Sequence, residues 1–147
     1  MISFGRQMIV LVLCFILVMP LLNCGKPKEG KVAVSEQEFS MRQDGSHKLN
    51  WVVDAKGKIK NIGEVDVKNV EVTGFCLSCQ EAWINGQWLV SSGLEKMPNQ
   101  KATIAYLPIG AEEEFSFTEV AFMMTGEPPK SLPDKLECKV VSFETVQ

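Results

Sequence analysis

The chain is 147 residues long, with 15 basic against 18 acidic residues and a formal net charge of −3. That acidic balance argues against nucleic acid as a partner, because phosphates demand a basic face. With a single histidine, no Ser-His-Asp set, paired-carboxylate site or phosphate-cradling glycine loop can be assembled, and a non-enzymatic protein is expected.

Met1 to Gln7 is partly polar and carries one charge, at Arg6. Met8 to Met19 is an unbroken apolar run, short of the ~20 residues that a helix needs to span a bilayer. Its length suits the core of an export signal instead. Pro20 breaks any helical extension. The small-residue ending of an ordinary secretory signal is missing, and the run closes on Leu21-Leu22-Asn23-Cys24. These four residues resemble the lipobox of bacterial lipoprotein precursors. The family usually has Gly, Ala or Ser where Asn23 stands, and Asn at that place is more familiar in spirochaete-like lipoboxes. The resemblance implies that residues 1–23 are removed and that the Cys24 thiol is diacylglycerated. Acyl chains then hold the mature protein to a membrane, since one chain alone binds only reversibly. No Asp follows Cys24, so the enterobacterial inner-membrane retention signal is missing and the outer membrane of the cell envelope is favoured.

Cleavage removes only Arg6 among the charged residues, so the mature chain is more acidic than its precursor. Gly25-Lys26-Pro27-Lys28-Glu29-Gly30-Lys31 is rich in Gly, Pro and charge and reads as a flexible tether. Val32 and Val34 suit a short first strand, and Phe39 to Asn50 is polar enough for an irregular lead-in. The expected division is therefore signal peptide 1–23, lipidated Cys with tether and lead-in 24–47, and folded domain 48–147.

Beyond Lys48 the pattern alternates with period two and shows almost no helical period. Leu49 to Val53 and Lys58 to Asn61 read as a strand, or as a pair broken at Asp54-Ala55-Lys56-Gly57, with a turn at Asn61 to Glu64. Val65, Val67, Val70 and Val72 alternate with polar residues, and the phase slips at Lys68-Asn69, predicting a turn or bulge. A second slip is expected at Gly74, because Phe75 and Leu77 fall on the opposite phase to Val70 and Val72. Asn85-Gly86 is a hairpin-turn dipeptide between Ala82-Trp83-Ile84 and Trp88-Leu89-Val90. Ala102 to Leu107, Glu113 to Phe117, Val120 to Met124 and Leu136 to Val146 complete the series. Pro98, Pro108, Pro128, Pro129 and Pro133 fall between strand candidates, where proline belongs. Many short strands between turns predict an all-β fold, an antiparallel two-sheet sandwich of immunoglobulin-like type.

Several of these residues resemble the FxLYD-type domains of bacterial exported and lipid-anchored proteins. The matching elements are Gly57-x-Ile59-x-Asn61-x-Gly63, the strand Asn69-Val70-Glu71-Val72, Phe75-Cys76-Leu77, and Gly110 followed by Phe115-Ser116-Phe117. Ser78-Cys79 stands where that family has Tyr-Asp. No catalytic residue travels with these motifs, and the resemblance implies an accessory or binding module at the envelope.

Cys14 leaves with the signal, and Cys24 is the lipidation site, so Cys76, Cys79 and Cys138 remain. Exported proteins live where disulfides persist. In an extended chain the Cα atoms of Cys76 and Cys79 would be roughly 10 Å apart at ~3.3 Å per residue, too far for a bridge. Either the strand ends in a turn, or one of the pair bonds to Cys138; buried free thiols, and redox or metal chemistry, are the other readings. Gln80 excludes haem attachment of the Cys-x-x-Cys-His kind. A zinc site would need a fourth ligand, and His47 lies in the polar lead-in, as a solvated loop residue. Met97, Met123 and Met124 could suit copper(I), but the Phe122-Met123-Met124 pattern is that of core. Glu112-Glu113-Glu114 is a solvated strand entry. Trp83 and Trp88 form a cross-strand aromatic contact or, where exposed, anchor a partner. No cofactor or bound metal is expected. The expected function is that of a membrane-anchored lipoprotein binding a protein of unknown identity. A thiol-redox or metal-handling protein using Cys76, Cys79 and Cys138 is the rival, and a passive structural lipoprotein is the third reading.

Overall fold

A computed structural model describes residues 25–91 and 95–146. Residues 1–23, read above as an export signal, and Cys24 lie outside the described residues. Among the described residues seven strands follow one another: β1 Val32–Gln43, β2 Asn50–Asn61, β3 Val67–Cys76, β4 Leu89–Val90, β5 Lys101–Leu107, β6 Glu112–Met124 and β7 Leu136–Thr145. They form two antiparallel sheets, one of order β1-β2-β6-β4 and one of order β5-β3-β7. The fold is the expected all-β, two-layer sandwich, and neither sheet closes on itself. It has the layers of an immunoglobulin-like domain with its own strand order.

The alternating residues supply the core. Val67, Val70, Val72 and Cys76 of β3 face Val53, Ala55 and Ile59 of β2 and Phe115, Phe117 and Val120 of β6 across the interior. The Phe115 and Phe117 rings stack at 5.7 Å. The slip expected at Lys68-Asn69 is present. Asn69 has φ 51, and β3 carries an extra residue between Lys68 and Glu71 relative to β7. The slip expected at Gly74 is not. Cys76 continues the inward face, while Phe75 turns outward beneath the Lys96 and Lys139 ammonium groups, at 5.4 and 5.6 Å. Gly74 serves the close approach of the sheets, because a Cβ there would lie 2.6 Å from Val120 Cγ2 and 2.9 Å from Phe117 Cε2.

Two expected boundaries differ from the structure. β1 runs to Gln43 and pairs with β2 along its length, so the folded part takes in residues assigned above to the tether and lead-in. Its polar sequence is that of an edge strand, whose charges discourage pairing with other chains. Of the two readings of Leu49 to Asn61 the single strand holds, as β2, whereas Glu113–Phe117 and Val120–Met124 are one strand rather than two. The irregularity in both stretches has one cause, a bulge in β6. Val53 pairs with Ala121 and Ala55 with Phe117, so β6 absorbs the irregularity, with Glu119 at φ 61. The Asp54 carboxylate accepts from the Glu119 N–H at 3.3 Å and from Arg42 Nε at 2.6 Å.

Five of the connections between strands lie at the two ends. At the N-terminal end lie the turns 61–66 and 107–111 together with residues 29–31. Asn61 is buried there. Its Nδ2 donates to the carbonyls of Val65 and Leu107 at 2.9 and 3.0 Å, and its Oδ1 accepts from the Gly63 N–H at 3.0 Å. Asp66 accepts from the Tyr106 hydroxyl and the Ile109 N–H, which together hold its carboxyl below the usual carboxylate range. At the opposite, distal end lie the loops 44–49, 77–88 and 125–135. Asn61→Ala leaves two carbonyls and an N–H without partners and is expected to cost roughly 2–4 kcal/mol of stability, measured as a lowered urea midpoint with an unchanged m-value.

Candidate functional site at the distal end

β3 stops at Cys76, and the chain turns at once. Leu77 N donates to Lys135 O at 2.8 Å, and Lys135 N donates to Ser78 Oγ at 3.1 Å. The turn brings the Cys76 and Cys79 Cα atoms to 5.5 Å and joins the two sulfurs in a disulfide. Cys138 remains a free, buried thiol. Of the pairings left open by the sequence, the bridge to Cys138 is therefore not made. The distance that argued against a Cys76–Cys79 bridge holds only for a strand that continues, and this one ends at the first cysteine.

From Cys79 the chain makes a compact loop whose ends meet. Gln80 N donates to Trp88 O at 2.9 Å, and Val90 N donates to Gln80 O at 3.1 Å. Asn85-Gly86 does form a turn, with Gly86 at φ 72 and Gln87 N donating to Ile84 O at 3.2 Å. The residues before it are not a strand, so the expected hairpin is replaced by this loop. The cross-strand contact expected of Trp83 and Trp88 therefore does not arise. Trp88 is partly buried against the core, and its Nε1 donates to Ser131 O at 3.1 Å, fastening the loop to the 125–135 segment. Trp83 is 63% exposed, and in the same loop region Leu77 is 60% and Ile84 43% exposed. The two tryptophans thus divide into a fastener and an exposed aromatic group.

Between the loop and the 131–134 segment lies an open cleft of about 270 Å³, lined by Ser78, Gln80, Trp88, Met123, Leu132 and Pro133. His47 is exposed nearby in the 44–49 loop, as expected, with Nδ1 3.4 Å from Asp44. The Asp44 carboxyl is held below its ordinary range, chiefly by the Ser46 N–H. Met123 is buried and Met97 exposed. Among the described residues, no three His, Cys, Asp or Glu side chains converge on a point that could hold a metal ion. A second hollow of about 390 Å³ lies on β1, β2 and β6, among Glu36, Glu38, Lys56, Lys58 and Glu114. Its lysines are paired: Lys56 meets Glu38 and Lys58 meets Glu36, each at 3.2 Å, and Glu36 holds the Lys58 ammonium above its ordinary range. The exposed tryptophan on a disulfide-held loop makes the distal loop the candidate site.

The cysteine environment is poor for thiol chemistry. The Cys76-x-x-Cys79 pair sits at a strand end, without the helix dipole that lowers a thiol pKa. Burial, reinforced by Glu137, pushes the Cys138 thiol up to about 12. No family model matches this chain, and no match is found among curated proteins or solved structures.

In a soluble form beginning at Gly25, the native protein is expected to react with no thiol reagent at pH 8, and with one equivalent, at Cys138, after unfolding without reductant. Alkaline titration carries the second readout. The folded thiol pKa is raised, so the unfolded chain loses this proton first, and stability present below pH 9 falls as the pH rises from 9.0 towards about 12. Cys138→Ala is expected to remove that share of the fall in a denaturation series.

Proposed function

We propose that the mature protein is a non-enzymatic lipoprotein of the bacterial cell envelope, anchored through acyl chains on Cys24, that binds a protein partner through its distal loop. The observation that carries this reading is the exposure of Trp83, with Leu77 and Ile84, on a loop that a disulfide and backbone hydrogen bonds hold in place. Exposed tryptophan on a fixed backbone loses little entropy when bound and is the side chain most often found at the energetic centre of an interface. The position of the loop agrees with the anchor. Residues 29–31 enter at one end of the sandwich and Trp83 stands at the other. Twelve-residue strands such as β2 separate the ends by about 40 Å at ~3.3 Å per residue. The lipobox resemblance supplies the anchor, the missing Asp after Cys24 favours the outer membrane, and the FxLYD resemblance fits an accessory module.

Cys24→Ser is expected to abolish the acyl mass on the mature chain and to release the protein from the membrane fraction. Unchanged mass and fractionation would refute the anchor. For the loop, recovery of a cross-linked envelope protein from intact cells is expected to fall ~30-fold in Trp83→Ala, the equivalent of about 2 kcal/mol, with the melting transition unmoved. Equal recovery with and without Trp83 would locate the contact elsewhere, and the absence of any specific cross-linked protein would sink the binding reading.

A further inference from the structure

The N-terminal end of the sandwich carries a second exposed apolar group that the partner loop does not account for. Ile62 is 49% exposed and Ile109 55%. They stand on separate turns, brought together because Asn61 N donates to Ala111 O at 3.0 Å and Gly110 N donates to Asn61 O at 2.9 Å. Tyr106 is half-exposed at the same end, with its hydroxyl on Asp66. Both isoleucines use their backbone N–H within the fold, Ile62 to Lys31 O and Ile109 to Asp66. The turns are therefore fixed, and the apolar side chains are left outside.

We infer that this end docks on the bilayer that holds the anchor, with Ile62 and Ile109 entering the headgroup region. The inference rests on Cys24 being lipidated. The chain between that lipid and the tip is short. Glu64 N donates to Glu29 O at 2.8 Å, and Ile62 N donates to Lys31 O at 2.8 Å, so the chain is bound to this tip from Glu29 onward. Only Gly25 to Lys28 separate Glu29 from Cys24. At no more than ~3.6 Å per residue, the five steps from Cys24 to Glu29 span roughly 18 Å. A tip held so close to lipid is in frequent contact with it, and an aliphatic pair with a tyrosine is suited to the boundary between headgroups and acyl chains. The charges there are mixed. Lys26, Lys28, Lys31 and Lys60 accompany Glu29, Glu64, Asp66 and Glu112, so the apolar contact, rather than an anionic headgroup, supplies the attraction.

The test places nitroxide labels on the natively lipidated protein at Ile62→Cys, Ile109→Cys and, as a distal reference, Leu49→Cys. Each variant is reconstituted in phosphatidylcholine vesicles, and collision with dissolved oxygen is compared with collision with a water-soluble nickel chelate. Docking predicts a ratio of oxygen to nickel collisions at least about threefold higher at 62 and 109 than at 49. It also predicts little change when phosphatidylglycerol is added. Equal, water-like ratios at all three positions in protein that still floats with the vesicles would overturn docking while leaving the anchor intact. Protein that does not float would overturn the anchor, and the docking with it. As a guard against misfolded label variants, Ile62→Ser with Ile109→Ser is expected to keep its melting transition and flotation. The same pair should raise the nickel accessibility of a label at Tyr106→Cys, and no change there would also count against docking.

Discussion

The buried amide of Asn61 joins more of this molecule than any core side chain does. Through its side chain it closes the β2–β3 turn and reaches the last carbonyl of β5. Through its backbone it pairs with the β5–β6 turn, and its neighbours Ile62 and Glu64 bind the incoming chain at Lys31 and Glu29. The β2–β3 turn and the 107–111 turn therefore meet at one residue, with the incoming chain bound beside it, and the two sheets are fixed to each other at this end by hydrogen bonds as well as by apolar contact. Glycine is needed on both sides of it. A Cβ at Gly63 would lie 2.3 Å from Lys31 N, and one at Gly57 would lie 2.1 Å from Glu36 O. Ile59, between them, is fully buried.

The two ends of the sandwich divide the work. One gathers the incoming chain and the short turns, and its residues are held by many backbone bonds. The other collects the longer loops, whose irregular backbone leaves Leu77, Trp83 and Ile84 exposed beyond the strands. Polar residues that look functional in isolation are absorbed by this construction. Asp54 and Arg42 hold the β6 bulge, and Asn99 Nδ2 reaches Glu119 at 3.0 Å on the same bulge. Gln100, buried, accepts from Met97 N–H and donates to Ser91 O, while its own carbonyl accepts from Thr73 Oγ1 at 2.7 Å. These contacts position residues 97–100 ahead of β5.

Period-two alternation made the sandwich legible, because Val67, Val70 and Val72 must share one buried face, and the phase slip at Asn69 marked its own bulge. The same rule misleads where a residue has a second reason to be present. Gly74 breaks no register; it is small because Val120 lies against it. Asp54 resembles a turn residue but serves a bulge on the neighbouring strand, which local sequence cannot reveal. β1 was hidden by its polarity, the property that suits an edge. The division of Trp83 from Trp88 also lay outside local pattern. It depends on Ser131, a residue distant in sequence that captures one indole and leaves the other in water. The cysteine pairing turned on one fact, that β3 ends at Cys76.

The short span of the Cys76–Cys79 bridge governs when it can matter. It closes a loop of only three residue steps, so the chain-entropy model assigns it about 2 kcal/mol, near the low end for disulfides. It restrains the base of the distal loop and ties no sheet to another. The sandwich can therefore assemble before its thiols meet an oxidant, and oxidation becomes a late, local finishing step. A chain kept reduced would still reach its β architecture, with a looser 77–88 loop as the consequence.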